Sequence, residues 1–235
     1  MEKYVLIIEL LVTKNLEKID KDMTLQLLEI YDIQETKYFT NTIWYKLIKI
    51  LAHLQNIQEI THKNYIEKIM QFILLAYEKA QENLCFFYFM KIVLLIVKKS
   101  DNNVLVKNYK QYNHILTTTI QFLKTNFAHK NDPLLLEILL YIIDMINFLT
   151  KFHLLHDILN DNDVINYLIQ MLAIHDNPYI MKSLSSTLLE ASKITTFYPD
   201  LLCDKSLNIF LSKMISYTGD NDSLSNMFDC LRNII

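Results

Sequence analysis

The sequence predicts an all-α protein arranged as an α-solenoid, a superhelix of about four to five stacked helical repeats. Three observations carry this. The 235 residues include one glycine, Gly219, and three prolines, Pro133, Pro178 and Pro199. A β-rich fold of this length needs many tight turns, and glycine supplies their positive φ angles. Second, three turns recur: Lys130-Asn131-Asp132-Pro133-Leu134, His175-Asp176-Asn177-Pro178-Tyr179 and Asp220-Asn221-Asp222-Ser223-Leu224, with Asp132, Asn177 and Asp222 each 45 residues apart. Each of the three is a good N-cap, because a short side-chain oxygen accepts from the unpaired amides of the first helical turn. In two of them proline follows at the first helical position, where its missing N–H costs nothing. Third, the apolar residues between these turns fall at helical spacing, and 51% of the chain is hydrophobic, ample for a sizeable core.

Helix pairs follow in order along the chain. The first joins about Asp22–Tyr31 to about Asn41–Gln55. The second joins about Tyr65–Ala80, through Gln81-Glu82-Asn83, to about Leu84–Lys98. A connector, Ser100–Asn113, has helical or extended character that the sequence leaves open. A helix from about His114 to Phe127 then carries Ile115, Leu116, Ile120 and Leu123. Past Asp132-Pro133, its partner carries Leu135, Leu139, Ile142 and Ile146. Asp163 is the expected N-cap of the next helix, whose Val164, Ile165, Leu168, Ile169 and Leu172 share a face. The Asp176-Asn177-Pro178 turn leads into a helix from about Tyr179 to Ile194, with Ile180, Leu184, Leu188 and Ala191 inside. The last pair carries Leu207, Phe210, Leu211 and Met214, then Leu224, Phe228, Leu231 and Ile235. These expectations make residues 1–235 one solenoid domain, regular over about 110–235 and irregular over about 1–109.

The stretch from Asp163 to Lys193 resembles armadillo and HEAT repeats: a helix reading Val-Ile-x-x-Leu-Ile-x-x-Leu, a capped acidic turn, then a longer helix. Phe152–Leu159 sits where the short first helix of an armadillo unit would lie, and Cys230–Ile235 resembles the end of a third helix. The resemblance covers most of residues 110–235. It implies a eukaryotic protein that binds a partner through the solenoid surface. Importin-like armadillo proteins line that groove with Asn and Trp. Here the comparable column holds His53, Lys98, Asn147 and Lys193, with Asn233 last, and the single tryptophan, Trp44, stands apart. Those four residues are the candidate partner-binding positions. Shorter repeats with periods of about 33–35 residues do not suit the 45-residue interval.

Charge and motif content narrow the function. The net charge of −3 does not favour nucleic acid, and Arg232 is the only arginine, so bidentate phosphate forks are scarce. One basic stretch with aromatics, Lys98-Lys99, Lys107, Tyr109, Lys110 and Tyr112, supports the alternative of a nucleic-acid-binding repeat acting by charge and stacking. Lys14, Lys18 and Lys21 form a second lysine cluster. Cys85, Cys203 and Cys230 lie in apolar helical patterns and read as reduced core thiols of an intracellular, cytoplasmic protein, with cytoskeletal or nuclear association open. The N-terminus lacks a small-residue cleavage site, so no signal peptide is expected. The apolar runs Phe86–Val97 and Leu134–Leu149 are each interrupted by charge and fall short of the about 20 uncharged residues of a membrane span.

Catalytic and metal motifs are not expected. Without glycines there is no phosphate loop, and no cofactor is anticipated. His153 and His156, three apart beside Asp157, have zinc-ligand character but lack further His or Cys at finger-like spacing. They read as the edge of a short exposed helix. Asp161-Asn162-Asp163 and Asp220-Asn221-Asp222 lack the glycine and glutamate of a calcium loop and read as caps. Ser183, Ser185, Ser186 and Thr187 read as a polar patch between repeats. Glu137, Asp144 and Glu190 are the only carboxylates at interior-pattern positions, and read as the polar side of their helices. The expected function is a non-enzymatic protein-binding scaffold within a larger assembly. Ile234 and Ile235 end an apolar helix, and that end is expected to dock on another chain, on itself or on further residues.

Overall fold

The computed structural model describes residues 41–53, 63–80, 83–99, 109–126, 131–161 and 163–235. Every regular element among them is helical. The expected helix over Asp22–Tyr31, Lys14, Lys18, Lys21 and most of the connector lie outside the described residues. The chain divides into two compact units, 1–111 and 112–235.

In the first unit, α1 (Asn41–His53) packs on both α2 (Lys63–Ala80) and α3 (Asn83–Lys99), which also pack on each other. The interior is aromatic. Trp44 is 2% exposed, its ring centre 5.6 Å from that of Phe72, and Phe86 lies 4.8 Å from Tyr77 and 5.3 Å from Phe89. Trp44 is therefore a core residue. Large rings at tilted contacts add specific attraction to the burial of their area.

α4 (Tyr109–Asn126) begins five residues before the expected His114 and takes in the end of the connector. Nothing from Tyr109 to Asn113 breaks a helix. In the second unit it is followed by α5 (Pro133–Leu149), a 3-10 turn (His153–Leu155), α6 (His156–Asp161), α7 (Val164–Ile174) and α8 (Pro178–Ala191). A second 3-10 turn (Thr195–Phe197), α9 (Tyr198–Leu202), α10 (Asp204–Ser216) and α11 (Asn221–Ile234) complete it. α8 lies between α5 and α11, α7 packs on α8 and α10, and α10 packs on α11. Ile180, Leu184, Leu188 and Ala191 of α8 are fully buried, as their spacing predicts.

The caps explain where these helices start. Asp132 accepts from the amides of Leu134 and Leu135, and Asn177 from those of Tyr179 and Ile180. The third cap is Asp220, which accepts from Ser223, so the caps stand 45 and then 43 residues apart. Asp222 lies in the first turn of α11 and instead pairs with Lys182 at 3.3 Å. Both aspartates suit a cap by composition. Two hydroxyls favour Asp220: Tyr217 donates to its carboxylate at 2.9 Å and Ser223 at 2.8 Å. Asp163 also departs from expectation. It stands at the N-cap position of α7 but in the left-handed region, φ 58°, with no capping bond from its side chain.

Candidate partner-binding surface

Polar side chains stitch α8 to the helices on either side. Ser183 donates to Asp144 at 2.8 Å and Asn147 to Ser186 at 3.4 Å across the α5–α8 seam. Across the α8–α11 seam, Asn226 donates to Ser185 at 3.2 Å and Asn233 to Ser192 at 3.0 Å. Cys230 adds a weak bond to the Leu188 carbonyl, and burial pushes its thiol up to about 11. Short hydroxyl side chains let the helices approach closely, and each of these seam hydroxyls keeps a partner. Ser183, Ser185 and Ser186 do lie between stacked helices. Thr187 instead turns back to the Ser183 carbonyl of its own helix at 2.8 Å.

The outer edge of this seam is charged and mixed in sign. Lys182 pairs with Asp222, Lys193 with Glu190 at 2.8 Å, and Arg232 with Asp229 at 3.2 Å. Tyr179, at the start of α8, is 75% exposed. On α5, Tyr141 donates to Glu137 at 3.1 Å; burial and then that carboxylate raise the phenol to about 12.

Of the four residues singled out by sequence, two belong to this surface. Asn147 is half-buried in the α5–α8 seam, and its Oδ1 is buried with no hydrogen-bond partner. Lys193 is exposed beyond the end of α8, two turns past Ser186. Asn233 is exposed on α11 and bound to Ser192. Lys98 is exposed near the end of α3 in the first unit, and the side chain of His53, the last residue of α1, lies outside the described residues. So do the side chains of Lys99, Lys107, Tyr109, Lys110 and Tyr112 from the basic stretch.

An open groove of about 820 Å³ lies on the other side of the unit, between the end of α7 and α10. Lys213 forms its floor. This lysine is 6% exposed and donates to the His175 carbonyl and to the Asp176 carboxylate, both at 2.6 Å. It ties α10 to the α7–α8 turn and meets the negative end of α7. The rim carries Lys205, Asn208, Ser212 and Ser216 and closes on Gly219. Here the single glycine is required. A Cβ at Gly219 would stand 2.2 Å from the Tyr217 ring, which folds over the backbone. Burial and then Asp220 raise the Tyr217 phenol. Burial works to raise Asp220 as well, but bonds from Ser223 and Tyr217 outweigh it and hold its carboxyl below the usual range. Sequence reasoning missed Lys213. The available signal was its position, three after Phe210 and four before Tyr217 on a buried helical face.

The histidine pair is placed differently from expectation. His153 is exposed, but His156 is 6% exposed, with Nε2 2.7 Å from the Thr150 carbonyl and its ring 5.5 Å from Phe197. The 3-10 turn before α6 tucks the second ring inward. Its Nδ1 has no partner. Among the described residues no three His, Cys, Asp or Glu side chains cluster as metal ligands would. One described helix, Pro133–Thr150, is long and apolar enough to cross a membrane, and half of it is buried inside the protein as in a core helix. Comparison with known proteins finds no matching family, curated sequence or solved structure.

Proposed function

We propose that the protein is a non-enzymatic scaffold: an α-solenoid whose stacked second helices, α5, α8 and α11, receive a segment of another protein within a larger assembly. The observation that carries this reading is the doubly stitched seam. Three helices held side by side present one continuous surface, and such arrays act as binding surfaces. The armadillo-like pattern over Asp163–Lys193 supports it. The edge suits a protein segment of mixed charge. Tyr179 offers an exposed aromatic anchor, and Lys182, Lys193, Asp222 and Glu190 offer charges of both signs. Nucleic acid is disfavoured because Lys182, Lys193, Lys213 and Arg232 each already meet a carboxylate. Free thiols at Cys85, Cys203 and Cys230 suit a cytoplasmic setting.

The test is cross-linking capture from native cells with the wild type and with a Tyr179→Ala, Lys193→Glu double variant. The expected result is a defined protein partner retained by the wild type and lost by the variant, with melting unchanged. A partner retained equally by both removes this surface from the reading. Salt-sensitive binding of single-stranded RNA that survives in the variant favours the basic stretch around 98–112 instead.

A further inference from the structure

In the last pair, α10 and α11, each helix packs one side on the preceding pair and turns the opposite side outward. On α10, Lys213 reaches the end of α7, while Leu211 and Ile215, four apart, lie on the opposite side of the helix. On α11, Asn226 and Cys230 bond to α8, while Leu224 and Phe228 lie opposite. These four are apolar. Leu211 is 51% exposed, Ile215 86% and Phe228 60%.

The repeat shows what this face is shaped for. The C-caps His175 and Tyr217 align α7 with α10, and the N-caps Asn177 and Asp220 align α8 with α11. In that register Leu211 stands where α7 has Ile169, and Phe228 where α8 has Ser185. Ile169 and Ser185 are buried, and Ser185 is covered by Asn226 of the following helix. The exposed face of α10 and α11 thus repeats the surface on which the previous pair receives its neighbour.

Its charges identify an occupant. α10 and α11 are joined by four residues and run antiparallel. Tyr198, the first residue of α9, donates to the Asn233 carbonyl near the end of α11. Leu211 is therefore level with Phe228, Ile215 with Leu224, and Asp204 and Arg232 share one end. A two-fold axis running along the helices lays α10 of one copy over α11 of the other. It sets Leu211 against Phe228, Ile215 against Leu224, and brings Asp204 within a turn of Arg232. Both charged residues are exposed, and the exposed pair of Arg232 with Asp229 on its own helix contributes too little to hold the guanidinium from a contact across the axis. A two-fold contact of this kind is closed and self-limiting.

We propose that the α10–α11 face is a self-association surface on which two copies of this chain meet about that axis. The inference does not rest on the α5–α8–α11 surface. Sedimentation equilibrium of the full chain tests it. The wild type is expected to form a concentration-dependent dimer, and Leu211→Asp with Phe228→Asp to abolish it while the melting curve at a concentration where the wild type is monomeric stays unchanged. Asp204→Arg or Arg232→Asp alone is expected to weaken the dimer about tenfold by setting like charges together. The two combined are expected to restore it. A wild type that stays monomeric at its highest soluble concentration overturns the proposal, including one that forms a one-to-one complex with a different protein through this face. So does a dimer that survives the double aspartate variant, or a charge-swapped pair that fails to recover.

Discussion

Replacing Lys213 with methionine separates two explanations of why a lysine is buried in α10. The stem is retained, so packing changes little. What is removed is a charged donor to the His175 carbonyl and to Asp176, each at 2.6 Å. Hydrogen bonds to a charged group contribute about 1.5–3 kcal/mol. His175 is 1% exposed, so water replaces the lost donor poorly there. Asp176 is 75% exposed and rehydrates, so the ion pair itself adds about 0–1 kcal/mol. The variant escapes the cost of burying an ammonium, which offsets part of the loss. The net expectation is a loss of about 2 kcal/mol, or about 8 °C in melting midpoint for a unit of this size. Asp176→Ala is expected to cost about 0.5 kcal/mol. Urea unfolding followed by far-UV circular dichroism measures both. If Asp176→Ala proves as costly as Lys213→Met, the carbonyl bond is not what holds the lysine and the reasoning fails.

The remaining predictions use the same assay unless stated. Asp220→Ala is expected to lose about 1–2 kcal/mol as a cap, and Asp222→Ala almost nothing; the reverse order would restore the 45-residue register at the third turn. Gly219→Ala is expected to cost about 2 kcal/mol by forcing the Tyr217 ring aside, with a change in near-ultraviolet dichroism; an unchanged spectrum and midpoint would show that the ring yields freely. Asp163→Gly is expected to be neutral or stabilising, since a left-handed residue costs about 1–2 kcal/mol when it carries a Cβ; a clear loss would mean that its side chain caps α7 after all. Cys203 is not the core thiol that its sequence pattern suggests, since it stands exposed at the N-cap of α10, so alkylation read by mass spectrometry is expected to modify it quickly and to leave the buried Cys85 and Cys230 protected. Because burial raises the Cys230 thiol to about 11, the unfolded chain releases that proton first. Its contribution to stability is present below the ordinary thiol range and is lost as pH rises toward that value. Labelling of Cys230 in the folded protein at neutral pH would contradict its burial.

Much of the helical order is legible in the sequence because burial and capping are local in their demands. The residues expected inside α8 are inside it, and two of the three caps fall where a short acceptor precedes proline. The third cap slips by two residues because Asp220 and Asp222 are equally suited to the role. The Tyr217 and Ser223 hydroxyls, both donating to the Asp220 carboxylate, distinguish them. The spacing of His153 and His156 suits a helix edge, and the sequence carries no sign of the 3-10 turn that rotates the second ring inward. Lys213 is not legible as a buried residue because lysine usually marks a solvent face. Its partner, the His175 carbonyl, lies 38 residues away and carries no signal in residue type.

The seams were half legible for the same reason. Ser183, Ser185 and Ser186 mark a polar stripe on α8, yet their partners Asp144, Asn147 and Asn226 are 39 to 41 residues distant. This bears on where specificity can lie. Asn147, chosen as a groove residue, has its amide engaged by Ser186, and Asn233 is engaged by Ser192. A partner competing for those amides would have to break the bonds that hold the helices together. The side chains able to meet a partner at little structural cost are those at the outer edge: Tyr179, Lys182 and Lys193. The exposed ion pairs there contribute at most about 1 kcal/mol each to the fold, so they can be exchanged for contacts with another chain. The column read by analogy with an armadillo groove therefore divides into Asn147, which builds the surface, and Lys193, which remains able to use it.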